Sequence, residues 1–91
     1  PGSGLAPEMT TAILLYVATA IADPRADALE AEALTALQRE EWIAARERAE
    51  EAVALDPQLF RAHYALGRAL YEEGQLARAM FHLGRSRELY E

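Results

Sequence analysis

Displacing this chain by 34 residues lays its last third on its middle third. Ala33 then falls on Gly67, Leu37 on Tyr71, Trp42 on Leu76, Ala45 on Ala79, Ala49 on Leu83, Ala52 on Ser86 and Leu55 on Leu89. Each pair sets a small or apolar residue at the same place in a unit long enough for two helices and a turn. Such a unit cannot bury its apolar face alone, so a chain built this way must stack one unit on the next.

The elements inside the unit are helical. Ala, Leu, Glu and Arg dominate, β-branched residues are few outside Thr10 to Ile21, and the interior prolines Pro24 and Pro57 each follow an Asp. Asp23-Pro24 and Asp56-Pro57 each end one helix and begin another, and Gly74 breaks the chain once more. The pattern predicts five helices, at about 8–22, 26–39, 41–55, 58–72 and 75–90, with turns short enough to force antiparallel neighbours. The expected fold class is all-α, with residues 1–7 as a scar or linker, 8–25 as an apolar helix, and repeat units at 26–57 and 58–91.

At these residues the chain resembles the tetratricopeptide repeat family. Its second unit supplies His63-x2-Leu66-Gly67-x2-Leu70, the turn residue Gly74, and Ala79-x3-Leu83. Its first unit supplies Leu29-x2-Glu32-Ala33-x2-Ala36, Trp42, Ala45-x3-Ala49 and the exit Asp56-Pro57. Glu32 stands where the family has Leu, and Glu40 where it has a turn Gly. Ala12, Tyr16 and Asp23-Pro24 fit the second helix of a truncated preceding unit. The resemblance implies a short right-handed solenoid whose small residues let paired helices approach closely.

Composition removes most chemistries. There is no Cys, hence no disulfide, thiolate metal site or cysteine nucleophile. Of 15 acidic and nine basic side chains, four Arg and eleven acids fall in residues 1–56, while five Arg and four acids fall in 57–91. Neither half has the basic excess that nucleic acid or an anionic membrane surface asks for. Met9 to Ala22 carries no charge, but fourteen residues are too few to cross a bilayer as a helix, and no positive charge precedes them as in a signal peptide.

His63 and His82 lie 19 apart without a second ligand at helical spacing, so no metal site is expected; His63 reads as a packed core histidine and His82 as solvent-facing. Trp42 opens a helix and repeats as Leu76, which predicts core packing. Glu40-Glu41, Glu50-Glu51 and Glu72-Glu73 are adjacent pairs whose carboxylates diverge on a helix. With no glycine-rich phosphate loop and no partner for Ser3 or Ser86, the chain reads as a non-enzyme without a cofactor.

The candidate surface is a stripe. Arg61, Tyr64, Arg68 and Tyr71 recur at helical spacing and share one face. The family resemblance implies that the first helix of each unit lines a concave groove holding a peptide. Arg61, Tyr64, Arg68, Tyr71 and Glu72 would then face Asp27, Glu30, Leu34, Leu37 and Gln38 across it, and an acidic segment or a C-terminal carboxylate would suit the Arg forks. The alternative is a solvated face on which Asp27 and Glu30 neutralise Arg61 and Arg68. The chain lacks Lys and Asn, so the family's Lys/Asn clamp for chaperone C-termini is absent.

A second expectation is assembly. Ile13, Leu14, Tyr16 and Val17 at one end, and Met80 and Phe81 at the other, would pair two copies through terminal helices. The nine cations are all Arg, as a GC-rich genome would give, rather than evidence for a recognition surface. The expected protein is bacterial and cytoplasmic, with another protein or a homodimer mate as its partner.

Overall fold

The computed structural model describes residues 23–91, which form four helices: α1 (Pro24–Gln38), α2 (Trp42–Leu55), α3 (Phe60–Glu72) and α4 (Leu76–Tyr90). No strand occurs among the described residues, and the fold class is all-α. The fifth expected helix, at 8–22, lies outside the described residues.

Helix starts differ from the expectation where prolines act locally. Pro24 sits in the first turn of α1, where its missing N–H costs nothing, and Asp23 caps the helix by accepting the Arg25 N–H at 2.9 Å. α1 therefore begins before residue 26. Asp56 makes the same bond to the Gln58 N–H at 3.0 Å, but there the chain turns first, and α3 starts only at Phe60.

Both hairpin turns close the same way. After α3, Gly74 adopts φ +79°, its N–H reaches the Tyr71 carbonyl, and the Gln75 N–H reaches that of Leu70. After α1, Glu40 adopts φ 59°, its N–H reaches Leu37, and the Glu41 N–H reaches Ala36. These are two copies of one left-handed helix cap, the one after α1 made by a residue with a side chain to strain.

Packing follows from small residues. α1 pairs with α2 and α3 with α4, while α3 also packs against both α1 and α2; α4 packs its backbone against α3 alone. One core cluster joins Ala33, Ala49, Ala65, Leu66, Leu70 and Ala79, and a second joins Ala36, Ala45 and Ala69. Alanine here lets helix backbones come close, and Gly67 does so most: a Cβ at that position would lie 2.6 Å from Leu83 Cγ. Polar bonds secure the α3–α4 seam, where the Ser86 hydroxyl donates to the Phe60 carbonyl at 2.7 Å.

Two expectations are corrected. His82 does not face solvent: it is half-buried, with Nδ1 3.0 Å from Nδ1 of the buried His63. A 19-residue separation spans the α3–α4 hairpin, which brings the two rings together. Trp42 is half-buried rather than core, and its counterpart Leu76 is 56% exposed. Both open a helix one turn before its first buried position, Ala45 or Ala79, and so stand at the edge of the packed layer.

Candidate functional site

α1 and α3 lie side by side, and the C-terminal half of α1 with the middle of α3 frames an open groove of about 470 Å³. Leu34, Leu37 and Gln38 enter from α1, Tyr64 and Arg68 from α3, and Glu40 and Trp42 from the turn into α2. Five of the ten expected groove residues thus meet. Spacing explains it: 34, 37 and 38 share one face of α1, as 64 and 68 do of α3.

The others are placed differently. Arg61 lies at the opposite end of α3, its guanidinium 4.6 Å above the Phe60 ring. With Tyr64 it borders a separate cavity of about 320 Å³ against Leu83, Ser86, Arg87 and Tyr90. Tyr71 is 56% exposed and Asp27 is exposed; neither borders the α1–α3 groove. Glu72 turns back to Arg68, bonding it at 3.3 Å one helical turn away.

Arg68 carries the polar character of the groove. One terminal nitrogen is held by Glu72, yet its Nε is buried and has no acceptor among the described residues. A buried guanidinium N–H without a partner costs free energy, which a carboxylate oxygen would recover once Arg68 turns to expose that N–H. No contact ion pair joins Arg61 or Arg68 to Asp27 or Glu30 among the described residues. Burial pushes the Glu30 carboxyl above the usual range, partly offset by the Ala62 backbone N–H and by Arg61.

Trp42 and Glu40 belong to the groove without having been expected there. Their signal was positional: both follow within four residues of Gln38, and the turn delivers them to the same end of the groove. Of the residues expected to pair copies, Ile13, Leu14, Tyr16 and Val17 lie outside the described residues, while Met80 is 75% and Phe81 66% exposed on α4.

Among the described residues no three His or acidic side chains cluster as metal ligands, and no helix is long and apolar enough to cross a membrane. Neither a protein-family model, nor a curated protein, nor a solved structure matches the chain.

Proposed function

We propose that the chain is a tetratricopeptide-like helical repeat serving as a non-catalytic interaction module, which takes an acidic peptide segment or a free C-terminal carboxylate in the α1–α3 groove. Two hairpins closed by the same cap, and buried small residues in a 34-residue register, support the repeat. The observation that carries the ligand class is Arg68: a guanidinium with a spare buried N–H, standing over Leu34, Leu37, Tyr64 and Trp42. Such a site offers flat apolar contact and one charge-assisted hydrogen bond.

The test is selection of random peptides with free C-termini against wild type, Arg68→Ala and Tyr64→Ala, with helicity checked for each. Acidic or C-terminal motifs enriched by wild type should bind Arg68→Ala about tenfold or more weakly, the scale of a lost hydrogen bond to a charged group. Equal enrichment by Arg68→Ala, or none by wild type, defeats the reading.

The exposure of Leu76, Met80 and Phe81 on α4 favours a second reading, a module that assembles through its terminal helix. Mass that rises with concentration, and falls back in Met80→Glu/Phe81→Glu, would establish it.

A further inference from the structure

Tyr64 stands between two hollows. On one side it borders the α1–α3 groove together with Arg68; on the other it borders the cavity at the end of the α3–α4 hairpin remote from Gly74. That second cavity is aromatic: Phe60 and Tyr90 meet edge to face at 5.2 Å, and Tyr64 and Leu83 add to its walls. The Ser86 hydroxyl beside it already donates to the Phe60 carbonyl. What the cavity offers is flat apolar contact, and its volume of about 320 Å³, small for a binding pocket, suits one large side chain.

Two arginines border this cavity, and neither meets a carboxylate at contact distance among the described residues. Arg61 lays its guanidinium over the Phe60 ring at 4.6 Å, which leaves the N–H groups at its edge open to an acceptor. Glu30 feels the charge of Arg61 without touching it. Arg87 is exposed, and the acid next to it in sequence, Glu88, bonds Arg85 instead at 3.2 Å. The repeat itself does not require these residues. In the 34-residue register Asp27, Glu30, Val53 and Asp56 stand where the second unit has Arg61, Tyr64, Arg87 and Tyr90. Aromatic walls rimmed by positive charge therefore belong to the second hairpin and not to the unit as such.

We propose, resting on the α1–α3 groove as a peptide site, that this cavity is the anchor pocket for the same peptide: it takes one large apolar side chain, while Arg61 and Arg87 hold a carboxylate beside it. Charge complementarity selects the second acid, and the aromatic walls select the apolar residue. Spacing completes the motif. Arg61 and Arg68 are seven residues apart, about 10 Å along α3. A peptide in the polyproline II conformation covers about that distance in three residues and returns its side chains to one face at the same interval. The ligand is thus an internal segment with an acid for Arg68, a large apolar residue three positions away, and a second acid next to the apolar one.

Selection from a random library of acetylated, amidated peptides tests this, using wild type, Tyr90→Ala, Arg61→Gln/Arg87→Gln and Arg68→Ala, each checked for helicity. Tyr90, Arg61 and Arg87 are exposed, so their substitution spares the core. Wild type should enrich the spaced motif about tenfold over the same residues at other spacings. Tyr90→Ala should lose the apolar preference, and Arg61→Gln/Arg87→Gln only the acid beside it. An acidic motif with no apolar residue at a fixed spacing, lost only in Arg68→Ala, overturns the pocket and leaves the groove standing. A motif lost in Tyr90→Ala and in Arg61→Gln/Arg87→Gln yet unchanged in Arg68→Ala upholds the pocket and defeats the groove. No enrichment by wild type overturns both.

Discussion

Gly67 and Leu83 meet where Ala33 and Ala49 meet in the register of the first hairpin. One seam is made from two medium-small residues, the other from the smallest residue and a large one, with the space divided differently. Gly67→Ala should therefore cost about 1–3 kcal/mol, since the new Cβ meets Leu83 Cγ at 2.6 Å and its backbone N at 3.1 Å. Adding Leu83→Ala should recover part of that loss, and denaturant melts of both single variants and the double close the cycle. At residue 40 the sign reverses: Glu40→Gly should raise stability by about 1 kcal/mol, because Glu holds φ 59° where Gly pays no Cβ penalty. Gly74→Ala should lower it by about as much, through φ +79° alone, for nothing lies within 4 Å of the added methyl.

Among elements, the α3–α4 hairpin holds the pH-sensitive contact. His63 Nε2 lies 2.9 Å from the Pro57 carbonyl, which can only accept, so that nitrogen carries a proton and donates. Nδ1 of His63 is then an acceptor, and it takes the hydrogen bond of the His82 Nδ1–H at 3.0 Å. Burial, with help from His63 and Arg78, holds the His82 imidazole below its ordinary 6.5, against a smaller opposing pull from Glu50. A folded value lower than the unfolded one means that the contribution is complete above pH 6.5 and fades as pH falls through the folded value. The melting temperature should accordingly drop as pH falls below about 6.5, and His82→Gln should flatten that slope.

Elements were also the scale at which the sequence was most readable. Asp56-Pro57 and Gly74 mark two of the three turns between the described helices, Asp23-Pro24 marks the start of α1, and the 34-residue register marks the buried alanines, because each acts through local backbone geometry or spacing. Glu40 was marked by its place at a turn-Gly position of the repeat, although its residue type does not favour the αL conformation it adopts. The His63–His82 contact was hidden by a separation that only the hairpin closes. For the groove, helical periodicity grouped Leu34, Leu37 and Gln38, and Tyr64 with Arg68; it could not tell that Arg61 falls to the far side of Tyr64, or that the turn brings Trp42 in.

For the whole molecule, the exposed α4 residues set a clear expectation. Met80→Glu/Phe81→Glu should leave the melting temperature within a degree or two of wild type, since neither side chain is buried, while removing any concentration dependence of mass seen by sedimentation. The order in which helices hold together has a further consequence. α3 touches every other described helix, whereas α4 rests its backbone on α3 alone. Amide hydrogens of α4 should thus exchange with deuterated solvent ahead of the rest, by peeling of the last helix, and those of α3 should wait for global opening. A chain pulled from its C-terminus would surrender α4 first, as a separate step, and keep the α1–α3 groove intact behind it.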